Sequence, residues 1–221
     1  IKRLIDIGKK VAVCEHLIYP AVTKVIVVRD VIRVVTPGTI TESGMLEDGE
    51  NNYICSIFYD ETEKTCGIAS ADISTGEADI SCFEGKEVEQ GVINELSRCQ
   101  PAEVIFPESF LSLKAVADFI KTRLNCAVTL RDFDCFFPEK QRSNVCEVFG
   151  VTDVAELGIS ENGADCAAVC GLFDYIRDTQ KTSVSRFTAL NLLNGDAFMG
   201  LDLNARRNLE LTETLRNKKK K

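Results

Sequence analysis

"YICSIFYDETEKTCGIASADISTGEADISCF", residues 53–83, decides how this chain folds. It holds three apolar runs, "YICSIFYD" (53–60), "TCGIASADIS" (65–74) and "EADISCF" (77–83). The polar "ETEK" separates the first two, and Ser74-Thr75-Gly76 separates the last two. Polar residues favour solvent-facing reversals, and glycine supplies the backbone freedom of a tight turn. The spacing predicts a three-stranded antiparallel meander.

Downstream, the apolar period changes from strand-like to helical. Val88, Val92 and Leu96 recur every four residues, which predicts a helix over 86–99 that stops before Pro101. "AEVIF" (102–106) reads as a short buried strand, and Ser109 as the cap of a helix carrying Phe110, Leu113, Ala117, Ile120 and Leu124. "CAVTL" (126–130) is another strand. After a phenylalanine-rich stretch comes a helix over 164–177 with Cys166, Val169, Cys170, Phe173 and Ile176 inward. The order βββαβαβα is that of the ribonuclease-H-like fold, an α/β layer with a mixed sheet and helices on its faces. "FTALNLLNGDAFMGLD" (187–202) follows as extended chain around an Asn194-Gly195 turn.

Upstream, "KVAVC" (10–14) and "VIRVV" (31–35) read as strands, the second stopped by Thr36-Pro37-Gly38-Thr39. A polar stretch, "TESGMLEDGENN" (41–52), places a domain boundary between Thr39 and Asn52. At the other end, "ARRNLELTETLRNKKKK" (205–221) reads as the first turns of a long helix capped by Asn204, with Leu209, Thr212 and Leu215 on one face. Either that tail is solvated or the chain is a piece of something longer.

Composition narrows the function classes. With 221 residues, 45% hydrophobic and 27% charged, the chain can bury a core and form one large domain or two small ones. No apolar run approaches the ~18 residues that span a membrane, and the charged stretch 1–10 lacks the apolar segment of a signal peptide. The 10 cysteines are scattered through strand and helix patterns without a CxxC, so they read as small buried hydrophobes in a reducing compartment, the cytoplasm. Cys166 and Cys170 could supply two metal ligands on one helix, but a core stripe accounts for them better.

The net charge of −8 is unevenly spread. Residues 49–180 carry 10 Lys+Arg against 24 Asp+Glu, whereas 1–48 carry 7 against 6 and 181–221 carry 9 against 4. So acidic a middle segment is a poor phosphate binder. It reads as a solvated surface, with a basic protein partner as the alternative.

Catalytic patterns do not assemble. Metal-dependent nucleases of the ribonuclease-H-like fold need a carboxylate in the middle of the first strand. Here Asp60 comes at its end, Asp72 on the second strand and Glu108 after the fourth. The single histidine, His16, leaves little room for Ser/His or Cys/His machinery. There is no GxxxxGK[ST] loop and no GxGxxG. The expectation is no catalytic, cofactor or metal site.

Five stretches bear on one another: "VAVCEH" with "RDVIRVVTPGT" (29–39), "ADISTGE" (71–77), "PAEVIFPE" (101–108), "RDTQKTS" (177–183) and "MGLDLNARRNLELTETLR" (199–216). In order and spacing they resemble the MutS family of bacterial DNA mismatch-repair proteins. The resemblance implies the end of a mismatch-recognition domain at 1–40, a linker at 41–51, a ribonuclease-H-like connector domain at 52–180 and the start of a lever and core domain at 181–221. The chain departs from the family in Cys14-Glu15-His16, where the family has Cys-Glu-Gln, and in Lys24-Val25, where it has Lys-Gly.

The resemblance further implies a longer parent, with its Phe-x-Glu mismatch wedge upstream and its ATPase P-loop downstream. That parent is a homodimer that clamps mismatched double-stranded DNA and signals to a MutL-like protein using ATP and Mg. A paralogue acting on branched or recombination DNA is the alternative, and a metal-dependent nuclease a distant one. Asp178-Thr179-Gln180, just past the predicted end of the last helix, should face solvent and form part of the docking surface for the MutL-like partner.

Overall fold

The computed structural model describes residues 1–5, 7–16, 29–41, 51–181, 187–193 and 208–209. The meander is present. β3 (Tyr53–Asp60), β4 (Thr65–Asp72) and β5 (Glu77–Glu84) pair antiparallel along their whole lengths, from Tyr53 opposite Asp72 to Asp72 opposite Glu77. Both reversals are held by an aspartate accepting hydrogen bonds from the turn. Asp60 accepts from the Thr62 N–H at 2.8 Å, and Asp72 from the Ser74 N–H at 2.8 Å and its hydroxyl at 2.6 Å. Gly76, at φ 78°, closes the second turn in the left-handed region that glycine adopts without strain.

β6 (Glu103–Phe106) joins β3 in parallel, β7 (Ala127–Leu130) extends β6 in parallel, and β8 (Asn191–Leu192) flanks β5 in parallel. The result is a mixed six-stranded sheet in the order β7-β6-β3-β4-β5-β8. Helices cover both of its faces, which is why the strands read as near-continuous apolar runs. On one face α5 (Ala164–Gln180) sets Val169, Phe173 and Ile176 against Ile54, Ala69 and Ile80. On the other, α2 (Val88–Cys99) and α3 (Lys114–Arg123) set Val92, Leu96 and Val116 against Cys55, Ile57 and Val104. α5 lies close on the sheet, for a Cβ on Gly67 would come within 2.1 Å of the Ala164 carbonyl oxygen.

Several boundaries differ from the sequence reading. Ser109 does not cap α3: it lies in a 3-10 turn, Glu108–Ser112, and the helix starts at Lys114. α4 (Pro138–Phe149) lies between β7 and α5, where the sequence pattern predicts no element. Only Val145 is buried along it, so the apolar period is faint, and the remaining signals are proline in the first turn and Gly150 after the last. α5 runs to Gln180, three residues past the predicted end. Of the cysteines, all free thiols, Cys14 and Cys82 are exposed rather than core-filling.

The N-terminal segment adds α1 (Lys2–Ile5) and an antiparallel pair, β1 (Val11–His16) and β2 (Arg29–Val35), with a bulge between Val13 and Cys14. Ile5, Val35 and Ile40 form its own small core. The Asn194-Gly195 turn, the Lys24-Val25 turn and nearly all of the helix read from Ala205 lie outside the described residues.

Candidate functional site at a buried carboxyl group

β6 begins with an acid. Glu103 is fully buried, on the α5 face of the sheet, and a carboxyl group removed from water is costly unless its lone pairs are met by donors. All its partners are donors, and they come from four separate parts of the chain. On Oε1 the Thr129 hydroxyl of β7 donates at 2.8 Å and the Tyr175 hydroxyl of α5 at 2.7 Å. On Oε2 the Thr36 hydroxyl donates in a short hydrogen bond and the Gly38 N–H at 3.2 Å. The Lys10 ammonium stands 3.8 Å from Oε1 and donates to the Tyr175 hydroxyl at 3.1 Å.

The turn that reaches Glu103 is pre-shaped. Thr36 and Thr39 bond each other through their hydroxyls at 2.9 Å, and the Thr36 N–H donates to the Thr39 hydroxyl, also at 2.9 Å. Gly38 must be glycine for space rather than for its backbone angle, because an added Cβ would lie 2.9 Å from the Cβ atoms of both Glu103 and Ile54. Asn52 fastens the other side of the turn by donating from its side-chain amide to the Pro37 carbonyl at 3.0 Å.

Tyr175 sits at the centre. Burial and the neighbouring Glu103 push its hydroxyl well above the ordinary tyrosine range, so it stays a donor. Its ring carries the Lys10 ammonium at 5.2 Å and the Arg131 guanidinium at 5.4 Å. Arg131 in turn bridges Asp174 at 2.7 Å and Asp178 at 2.6 Å on successive turns of α5. Burial alone would lower the Arg131 pKa, but the hydrogen bonds to Asp178 and Asp174 outweigh it and raise it. They also offset the unfavourable placement of two carboxylates at the negative end of a helix.

The sequence placed Asp178, Thr179 and Gln180 past the helix, facing solvent. The structure separates them. Asp178 is exposed but held by Arg131. Thr179 is buried, with its hydroxyl donating back to the Tyr175 carbonyl at 2.8 Å, so it is not a surface residue. Gln180 reaches the Thr39 carbonyl at 3.4 Å, which ties the end of α5 to the same turn. Glu103 itself went unrecognised. The available signal was an acid inside an otherwise apolar strand, which a fold tolerates only with partners.

The remaining acids considered as metal ligands are not brought together. Asp60 and Asp72 serve the turns, and Glu108 is exposed. Among the described residues no group of three or more His, Cys, Asp or Glu could hold a metal ion. Cys166 and Cys170 lie 3.9 Å apart within the core.

Fold and site together define a two-part α/β module, in which a mixed sheet carries a small β-hairpin unit locked on by a buried carboxyl group. The sequence profile of MutS domain I matches residues 1–44, and that of MutS domain II matches residues 52–188. The DNA mismatch repair protein MutS of Alkaliphilus oremlandii is 37% identical over 224 residues, covering 100% of this chain and 25% of the relative. Those of Clostridium novyi and Clostridium perfringens are 40% and 39% identical, each covering 100% of this chain and 23% of the relative. The chain belongs to the MutS family, and it spans about a quarter of the length of these relatives. Thr36, Gly38 and Lys10 fall in the part matching domain I, and Glu103, Thr129 and Tyr175 in the part matching domain II.

Proposed function

We infer that this chain is the joint of a mismatch-repair protein: it fixes the module that meets mismatched double-stranded DNA onto a connector domain. The observation that carries this is the convergence on Glu103. Thr36 and Glu103, in two of the stretches that resemble the family, and Tyr175, two residues before a third, are far apart in sequence and meet at one buried carboxyl group. The relatives' name, DNA mismatch repair protein, supports the process. The order of strands and helices supports reading residues 52–180 as a ribonuclease-H-like connector.

In this reading the parent protein is a cytoplasmic bacterial homodimer, and ATP with Mg is used by a part of it outside this chain. No P-loop motif occurs in these residues, so the chain transmits rather than catalyses. The corner formed by Asp178 and Gln180, steadied by Arg131, is the docking surface for a MutL-like partner. It shares α5 with the joint, so a change in how the recognition module sits would be felt there.

The experiment is Glu103→Gln in the full-length parent. Mismatch affinity by fluorescence anisotropy should stay within about twofold, while mismatch-dependent recruitment of the MutL-like partner should fall by about tenfold. Unchanged recruitment by a folded variant would contradict the transmission role.

A further inference from the structure

Among the described residues β7 is the last strand on its side of the sheet, with no strand paired to its outer edge. The Ala127 N–H donates to the Ala102 carbonyl and the Arg131 N–H to the Phe106 carbonyl, both toward β6. By strand alternation the backbone groups of Val128 and Leu130 turn to the open side. Their side chains are 51% and 57% exposed. Natural sheets ordinarily blunt such an edge with charge, proline or a covering element.

The helix beside this edge carries the opposite charge to its surroundings. α3 leaves the end of β6 and returns the chain to the start of β7, so it runs back alongside both strands. It presents Lys114, Lys121 and Arg123 to solvent, against one acid, Asp118. None of these three cations makes an ion pair among the described residues; Lys64 and Lys86 likewise make none, whereas Arg98, Arg131, Lys140, Arg142 and Arg177 are all paired. In a segment with 24 acids and 10 cations this is the cationic corner.

We propose that the β7 edge is a docking strand for an extended acidic segment of a partner protein. Its backbone pairs with Val128 and Leu130, its apolar side chains cover theirs, and its carboxylates face the cations of α3. Duplex DNA fits less well. Two exposed apolar side chains offer nothing to a sugar-phosphate backbone, and three cations in so acidic a domain fall short of the phosphate contacts that carry DNA affinity. A second copy of this chain would bring like-charged α3 helices together. Thr129 ties β7 to the Glu103 joint on one face, but Val128 and Leu130 turn to the other, and the proposal does not depend on the joint's function.

The test is a titration of the isotopically labelled chain with two blocked peptides, one alternating valine with glutamate and one alternating valine with lysine. The glutamate peptide should shift the amides of residues 127–131 and of α3 and protect those of Val128 and Leu130 from exchange. The lysine peptide should bind about tenfold more weakly or not at all. The edge variant Val128→Glu with Leu130→Glu, which removes the apolar cover and repels the peptide's carboxylates, should lose about tenfold in affinity. The surface variant Lys114→Glu with Lys121→Glu, which leaves the sheet untouched, should do the same if the edge variant misfolds. Equal binding of both peptides, no shift at β7, or displacement of the peptide by a matched DNA duplex would overturn the proposal.

Discussion

The Tyr175 hydroxyl on α5 donates to Glu103 Oε1 on β6 at 2.7 Å, and the same carboxyl group accepts from Thr36 and Gly38 on the turn after β2. One side chain thus holds α5, the parallel part of the sheet and the N-terminal hairpin unit in a single arrangement. The hydrogen bonds are short, but they join residues as far apart in sequence as Lys10 and Tyr175.

Glu103→Ala should be among the most damaging substitutions in the chain. It orphans the hydroxyls of Thr36, Thr129 and Tyr175, and each unsatisfied buried donor costs roughly 1–3 kcal/mol. Urea denaturation should show a loss of about 3–5 kcal/mol for Glu103→Ala. Lys10→Met should cost no more than about 1 kcal/mol, because the Lys10 side chain is 44% exposed and its ion pair is screened. Equal losses for the two would mean that the ammonium, not the hydroxyls, carries the joint.

Gly38→Ala tests the close approach of the turn. Its methyl group would lie 2.9 Å from two Cβ atoms fixed in the sheet, so backbone must move. The expected cost is about 1–3 kcal/mol. Alanine at Gly8, where an added Cβ meets nothing but φ is 72°, separates this steric cost from a conformational one.

Much of this architecture is legible in the sequence, for reasons particular residues make plain. The meander is readable because its breaks are the polar stretch 61–64 and the turn Ser74-Thr75-Gly76. The two helix layers are readable because Val88, Val92 and Leu96, and Val169, Phe173 and Ile176, keep helical spacing on buried faces. α4 is not readable, because it packs through few residues and its outward face is polar. The Glu103 joint is not readable from the residues alone either. Its partners lie 67 residues before it and 72 after it, and no local pattern announces hydrogen bonds of that reach.

Alkaline pH should loosen the fold in a way that Tyr175→Phe diminishes. The native Tyr175 pKa is raised above its ordinary value of 10.0 by burial and by Glu103. Its contribution is therefore whole below pH 10 and is lost as pH rises through the raised native value. Burial pushes Cys126 and Cys135 up to about 11, and they act with the same sign. The informative quantity is thus the difference between wild type and variant in denaturation midpoints followed from pH 8 to above pH 10. A variant with the same alkaline slope as wild type would remove Tyr175 from this account.

Thiol reactivity should divide the cysteines by position. Cys55, Cys66, Cys99, Cys166 and Cys170 are buried, and burial raises the Cys55 and Cys66 thiols further from the reactive thiolate. Under non-reducing preparation a fast reagent should label Cys14 first, and all 10 thiols should count after denaturation. A denatured count well below that number would mean disulfides in the native chain.

Asp178→Lys in the full-length parent tests the docking corner. The substitution removes one carboxylate from Arg131 but leaves Asp174, so thermal stability should fall little, by about 0–1 kcal/mol. Recruitment of the MutL-like partner on mismatched DNA should drop. A folded variant that recruits normally would move the partner surface elsewhere.

The joint itself is tested most directly by a double-mutant cycle between Thr36 and Glu103, measured by chemical denaturation of the chain as Thr36→Val, Glu103→Gln and both together. The two residues stand 67 positions apart in sequence and share a short hydrogen bond, so their effects should not add. The expected coupling is about 1–3 kcal/mol, with the double variant nearly as stable as the worse single one. Additive losses, with a coupling indistinguishable from zero, would contradict the claim that Glu103 fastens the N-terminal unit to the sheet.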